Sequence, residues 1–480
     1  MKYNTVRELL DISVQKYGEN VAYVEKDSRN QEVSYNFRRL KSDVDGLLCA
    51  LNAMGLRGKH IGLWGANTYC WIVAYLAVLC GLGVVVPIPA ETSPEELKRL
   101  VTTARIDLIL ADDRLAEAFS GETPVIPLSR VDELAEEGRK RMDAGDDACE
   151  TVKASPDDFC KIIFTSGTTG ARRGVMLSQR NMMCIVSSRF VPYVGKVSVS
   201  FLPLSHAFES VCHILTMIAL GGKMILCTSL RAYPPCVAAS GAECLFMVPS
   251  LAEAFLTRFR PFLNKAENLK RIVCGGAPIP RALVDEYRKI GIALMAGYGL
   301  SECAPLVSLD IQDAPGSVGV LGEYCQARIS PDGEIQVKGE NVMLGYYQNE
   351  EATRAAFTED GWLRTGDIGH LDEKGNLYLT GRNKNLIILS NGENVSPEEL
   401  ETLAVNRVPG AQDALCSAEN DLLSMTLYMG GDVSEETLSR VRAAFTEIND
   451  GLPAYKRVQK LTLTPDPIPV SATGKKIRKL

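Results

Sequence analysis

The sequence predicts an α/β protein, and three observations carry that prediction. Helix-spaced apolar residues alternate with short β-branched runs through the first half, a rhythm that gives a mostly parallel sheet covered on both faces. Hydrophobic residues make up 46% and charged residues 23% of the 480, ordinary values that leave no place for collagen-like, disordered or coiled-coil classes. Around Glu334 the pattern changes to short alternating strands (EIQVKG, NLYLTG), and from Ser396 to a helix-rich tail. At roughly 150 residues per domain, the length allows about three modules, or one large domain with a smaller one.

Taken in order, the chain opens with Thr5 and Glu8 at capping-box spacing, and Gly18 closes the amphipathic helix that follows. Such a start is not a signal peptide. Phe37, Leu40, Val44, Leu47, Leu48 and Leu51 recur at helical spacing and stop at Gly55; HIGLWG follows as a strand. Cys70 to Ala90 carries no charge over a length that would span a bilayer. Its glycines, β-branched triplet and prolines predict core instead: a buried helix from Tyr69 to Leu79, a break at Gly81 and Gly83, and a strand, Val84 to Val86, ended by Pro87. No basic flank marks an inside face, so no transmembrane segment is expected. Ser93-Pro94-Glu95-Glu96 opens a helix and DLILAD is a strand; the polar stretch from Ser120 to Asp158 is expected as surface helix and loop. CKIIF, KMILC, CLFMVP and RIVCGG are further strands.

A formal charge of −7 argues against a nucleic-acid surface. The 14 cysteines form no C-x-x-C, and the four histidines (His60, His206, His213, His370) make no zinc-like pairing with them, so no structural metal site is expected. Free buried thiols in a reducing cytoplasm are the plain reading.

The strongest chemical signal is Lys161 to Asn181, KIIFTSGTTGARRGVMLSQRN. An apolar strand runs into Thr165, Ser166, Gly167, Thr168, Thr169 and Gly170, then Arg172 and Arg173, then a second apolar run and a Ser178-capped helix. Glycines let the backbone aim its N–H groups at one point and hydroxyls add donors, which suits a polyphosphate. The Walker A spacing does not fit, and a hairpin turn is the other reading of the same residues.

Four further segments follow: LPLSHAFE, CGGAPIP with GYGLSE, TGDIGHLDEKGNLYLTGRNKNLIILSNGENVSPEELE, and PIPVSATGKKIRKL. Together with the loop they resemble the adenylate-forming superfamily, which holds acyl-CoA synthetases, luciferase-like enzymes and peptide-synthetase adenylation domains. The resemblance runs from about residue 30 to the end. It departs where the family has Pro-Lys and this chain has Ala171-Arg172, with Arg173 keeping the charge, and where Ser471 replaces threonine. It implies that Thr165 to Gly170 and Arg173 hold phosphates and that His206 borders the carboxylate pocket. Gly276 and Ala277 would lie along adenine, Tyr298, between Gly297 and Gly299, would stack on it, and Ser301 would approach the α-phosphate. Glu302 would ligate Mg²⁺, and Asp367 with Arg382 would hold the ribose. Lys384 would be a hinge, Gly392 would face the thiol channel, and Lys475 would be the catalytic lysine, with Lys476 as the alternative.

The implied fold is a large N-terminal domain (1–383) of layered αβ subdomains with a small β-barrel-like part, then a mobile α+β domain (384–480). The implied activity is ATP-dependent conversion of a carboxylic acid, a medium- or long-chain fatty acid, to an acyl-adenylate and then to a thioester with CoA. Loading of a carrier-protein phosphopantetheine is the rival acceptor. A non-catalytic nucleotide or acyl-adenylate binder is the rival of another class.

Overall fold

The helix that follows Thr68 is apolar on every side, and the molecule covers all of it. Thr68 caps the backbone N–H of Trp71, the helix runs Tyr69–Ala77, and a π-turn, Val78–Leu82, continues it; from Tyr69 to Ala77 only Cys70 is not fully buried. A helix apolar all round belongs in a core. No helix among the described residues is long and apolar enough to cross a membrane. The computed structural model describes the chain except residues 1, 28, 148–150, 166–171, 390–393, 420–421, 432–434, 470–475 and 477–480.

This helix feeds the strand Val84–Ile88 in the middle of a seven-stranded sheet. The order across it is Gly345–Tyr346, Arg173–Ser178, Phe159–Thr165, Val84–Ile88, His60–Trp64, Leu108–Ala111 and Val125–Pro127. The last five run parallel, as the α-then-β rhythm requires, and the first two join antiparallel. The strand runs through Pro87 instead of ending there. Its pairing to Phe159–Thr165 is confined to Val85 opposite Lys161, so the strand is one-sided by Pro87, where the missing N–H is tolerated.

The polar stretch after Ser120 is less superficial than expected. It supplies the edge strand Val125–Pro127 and the helix Val131–Asp143, whose Val131, Leu134 and Ala135 are buried. That helix packs on Phe37–Ala53 through glycines: a Cβ at Gly46 would lie 2.2 Å from Ala135 O, and one at Gly138 1.7 Å from Gly46 O. Asp43, fully buried, locks the crossing by accepting from Arg39 (2.7 Å), Arg139 (2.6 Å) and Tyr69 Oη (2.9 Å).

Three more sheets complete the part before Lys384. Glu32–Asn36, Val21–Lys26, Lys223–Leu226 and Val197–Ser200 form one. A second holds Cys244–Met247, Arg271–Cys274 and Ala293–Gly299 in parallel, then Leu306–Leu309 and Val320–Leu321 antiparallel. The third, Cys325–Ile329, Glu334–Gly339, Leu363–Leu371 and Leu377–Arg382, is antiparallel throughout and is the small barrel-like part. Beyond it, Asp413–Glu419, Leu422–Tyr428 and Lys460–Thr464 form a sheet with the helices Pro397–Arg407 and Glu435–Asp450, around a separate apolar cluster from Leu389 to Val458.

Gly138→Ala is expected to cost about 1–3 kcal/mol or more by overpacking the glycine crossing. A lower urea midpoint at unchanged slope is the expected result; an unchanged midpoint would show that the helices separate freely.

Candidate active site

The Gly/Thr loop joins two antiparallel strands, with Thr165 opposite Arg173 at its base. The pairing of the flanking strands agrees with the hairpin reading of those residues. Ser166, Gly167, Thr168, Thr169 and Gly170 themselves lie outside the described residues. Arg172 turns away to Glu96 on the helix Pro94–Ala104, at 2.6 Å. Arg173 lies against the ring of Tyr346, 5.3 Å from its centroid, and Tyr346 Oη donates to Glu302 Oε1 at 2.8 Å. The basic end of the loop and the carboxylate of GYGLSE are thus joined through one tyrosine. Burial and Glu302 raise the Tyr346 pKa, so it stays a donor. Tyr346 sits in a two-residue strand with no periodic signal, and the sequence reading missed it.

Gly276, Ala277, Gly297 and Gly299 come together at the carboxyl ends of neighbouring parallel strands, where Cys274 pairs with Ala296. Ligands of open α/β sheets bind at such ends. A Cβ at Gly275 would be 3.2 Å from Gly297 O, and one at Gly299 only 1.8 Å from Pro305 O, so the two segments approach closely because side chains are missing. Gly276 needs φ +85° besides. Ser301 and Glu302 follow in the 3-10 turn Ser301–Cys303, both half-buried.

Tyr298, Asp367 and Arg382 converge from different sheets. Asp367, 5% exposed, accepts from Tyr298 Oη at 2.9 Å and pairs with Arg382 Nε at 2.8 Å; Arg382 stands opposite it in the ladder. Burial raises the Asp367 pKa above the usual carboxylate value, with Arg382 and then Tyr298 opposing. Burial and the neighbouring carboxylate push the Tyr298 hydroxyl well above 10.0.

His206 precedes the π-turn Phe208–His213 and is exposed. Crowding still strips water from the imidazole and lowers its pKa, with Glu91 and Glu209 pulling the other way. Phe208 reaches from this turn to the glycines, its ring edge 4.0 Å from a Cβ built at Gly275. Behind it is a cavity lined by Phe208, Cys212, Thr216, Phe246, Val273 and Leu306 among others, none of the lining residues charged. Sequence pattern did not reveal this cavity, because its walls come from separate elements and read only as core.

Lys384 lies in the short turn Asn383–Asn385. Next to it, Ser396 Oγ, at the cap of the helix Pro397–Arg407, donates to Thr380 O of the strand Leu377–Arg382 at 2.5 Å, and Asn385 Nδ2 of the turn donates to Glu398 Oε1 of the helix at 2.5 Å. Gly392 and Lys475 lie outside the described residues. Lys476 donates to Ala414 O at 2.6 Å and pairs with Asp413 (2.6 Å) and Glu401 (3.2 Å). No group of three or more metal-ligating side chains occurs among the described residues.

Layered α/β sheets with a crevice at strand ends define the class. Within it, the chain belongs to the adenylate-forming superfamily, for the family profile described as AMP-binding enzyme matches residues 10–347. The long-chain-fatty-acid–CoA ligase of Escherichia coli O6:H1 is 34% identical over 358 residues, covering 68% of this chain; the match spans only 61% of that relative's own length. That of Yersinia pestis is 26% identical, with 100% of this chain and 94% of that protein covered. Among solved structures, O-succinylbenzoate coenzyme A synthetase from Bacillus subtilis, in complex with AMP, has a TM-score of 0.77 at 23% identity, covering 98% of this chain and 96% of that one. That likeness shows the fold.

Arg382→Ala should leave buried Asp367 with Tyr298 alone. The expected loss is about 1–2 kcal/mol at neutral pH, discounted because the Arg382 side chain is half-exposed. The removed partner favours only the ionised carboxylate, so the difference in Tm between variant and wild type should shrink as falling pH protonates Asp367. A difference that stays constant with pH would contradict this.

Proposed function

We propose that the protein is an AMP-forming acid–thiol ligase that activates a medium- or long-chain fatty acid and transfers it to CoA. The observation that carries this reading is the uncharged cavity walled by Phe208, whose ring also lies 4.0 Å from a Cβ built at Gly275 of CGGAP. Phe208 and Thr216 both line it, together with the apolar side chains of Ile185, Phe246, Val273 and Leu306. No cation in the lining would pair with a second carboxylate.

A carboxylate is a poor electrophile, and the reaction makes it a better one. Its oxygen attacks the α-phosphorus of ATP, the bond to pyrophosphate breaks, and the acyl-adenylate forms; the CoA thiol then adds to the acyl carbon and AMP leaves. Thr165 to Gly170 and Arg173 bind the phosphates, and Ser301 lies by the α-phosphate. Asp367, held by Arg382, accepts from the ribose hydroxyls, because ionised acceptors bond most strongly. Its bond from Tyr298 fixes that ring at the base, beside Gly276, Ala277, Gly297 and Gly299. His206 borders the acid's carboxylate.

Glu302 suits Mg²⁺: it is an oxygen donor, its carboxylate accepts from the neutral hydroxyl of Tyr346, and no cation pairs with it among the described residues. Bound there, Mg²⁺ would neutralise charge on the pyrophosphate. Lys475 bridges carboxylate and phosphate oxygens, and the full use of Lys476 elsewhere supports that choice. The unit after Lys384 turns about it to admit the thiol past Gly392. No disulfide links the described cysteines, which fits a reducing compartment such as the cytoplasm.

The test is ATP–pyrophosphate exchange and AMP release over a panel of acids, with and without CoA. Medium-chain fatty acids should support exchange without CoA and AMP release with it, and short dicarboxylates neither. Nucleotide binding without turnover on any acid would make the protein a binder, and transfer to a carrier-protein pantetheine alone would replace CoA as the acceptor. Lys475→Ala should lower adenylation about a hundredfold or more while thioester formation from supplied acyl-adenylate survives. Lys384→Pro should do the reverse. Equal loss of both half-reactions in either variant would remove that residue from its role.

A further inference from the structure

Lys161 is fully buried in the strand that ends at Thr165, and no carboxylate reaches it among the described residues. Its Nζ donates to Ser210 Oγ at 2.7 Å and to Tyr75 Oη at 2.9 Å. A buried ammonium ordinarily needs an anion. The titratable groups that face it are Tyr75 from the helix Tyr69–Ala77, Cys212 from the π-turn Phe208–His213, and Cys160 on its own strand; burial raises the pKa of all three and keeps them uncharged. The strands on either side place Val85 and Leu177 opposite it, both apolar.

The surroundings suit a neutral amine: its two N–H groups meet the two hydroxyl oxygens, whereas the third N–H of an ammonium would meet only the Tyr75 ring, 4.8 Å from Nζ to its centroid, and no anion. The acceptors are themselves committed. Ser210 spends its hydroxyl proton on His206 O at 2.8 Å, while Ser210 N donates to the same carbonyl at 2.9 Å. Tyr75 Oη donates to Ser210 O at 3.4 Å. A continuous line of bonds therefore runs from the strand of the Gly/Thr loop, through Ser210, to the backbone of His206. It enters through a π-turn, a distortion that recurs at functional sites.

We propose that Lys161 is a positioning residue that works as an uncharged amine, bracing the His206 segment against the strand that feeds the Gly/Thr loop, and that its protonation undoes the brace. The consequence for catalysis rests on the ligase reading; the protonation state does not. Burial lowers the Lys161 pKa from 10.5 to about 7. Between those values the unfolded chain binds more protons than the native one, so native stability rises with pH across the window, and the penalty is complete below about 7.

Wild type, Lys161→Met and Lys161→Gln separate the possibilities. In protein labelled at lysine Nζ, one NMR resonance should titrate near pH 7 and be missing from both variants. The rise of Tm between pH 7 and 10 should be flatter in Lys161→Met. Pyrophosphate release from ATP and a fatty acid should fall about tenfold from pH 8.5 to pH 6 in wild type, following the neutral fraction. Lys161→Gln, whose neutral head also has two donors, should recover most of the rate lost in Lys161→Met and lack that acidic limb. A Lys161 resonance titrating at the ordinary lysine value, or an acidic limb that persists in Lys161→Gln, would overturn the proposal. If no acid supports pyrophosphate release, the ligase reading fails, and the NMR and melting measurements still decide for or against the uncharged brace.

Discussion

Asp367 is a carboxylate withdrawn from water, and several kcal/mol of lost hydration must be offset by what surrounds it. Its two partners come from places that local structure would not join. Arg382 stands across one antiparallel ladder, while Tyr298 ends a parallel strand of another sheet. Satisfying this one group fixes the angle at which the two sheets meet, and the rest of the crevice follows from that angle. With Tyr298 held by its hydroxyl, the next residue must be glycine to pass Pro305, because a Cβ at Gly299 would lie 1.8 Å from Pro305 O. The turn that follows then delivers Glu302 to Tyr346, and through its ring to Arg173 at the foot of the Gly/Thr loop.

The same logic stabilises the walls. Glu209, His213, Ser198 and Ser200 form a buried cluster behind the cavity. Ser198 gives its proton to Cys244 O at 2.8 Å, so His213 Nε2 must carry the hydrogen of their shared 2.7 Å bond. That fixes the imidazole plane, and Phe246, a lining residue, stacks on it at 4.2 Å. An apolar pocket gains a defined shape here because polar atoms orient one of its walls. Dispersion contacts alone orient a ring less sharply, since each atom pair is worth only ~0.1–0.2 kcal/mol.

Features written in neighbouring residues were legible in the sequence. Thr5, Ser93, Ser178 and Ser396 each cap the helix assigned to them, since a cap needs only a hydroxyl and an N–H three residues on. Even there the reach of a side chain matters: Glu8 returns its bond to Asn4 N, at 2.7 Å, and not to Thr5. The motif residues were picked out by resemblance; the structure bonds Tyr298 and Arg382 to Asp367, and Gly276 follows the strand next to that of Tyr298. What pattern could not supply were pairings across long separations. Asp43 with Arg139, Arg172 with Glu96, Tyr346 with Glu302 and Lys161 with Ser210 are each decided by tertiary packing, and none leaves a periodic trace. Val125–Pro127 was missed because three residues are too few for an alternation to show.

Of the two adjacent lysines near the end of the chain, Lys476 is the one whose partners the structure describes. An ammonium has three N–H donors, and Lys476 has three acceptors within the C-terminal unit: Glu401, Asp413 and Ala414 O. Glu401 is itself nearly buried and accepts from Cys416 N at 2.8 Å, so moving Lys476 away would break an ion pair of a desolvated carboxylate. Breaking such a pair costs about 3–5 kcal/mol when one partner is removed outright. A lysine that must reach phosphate in one step and leave in the next would incur that cost on every cycle. The tether at Lys476 is therefore poorly suited to a moving part and well suited to anchoring the segment that carries Lys475.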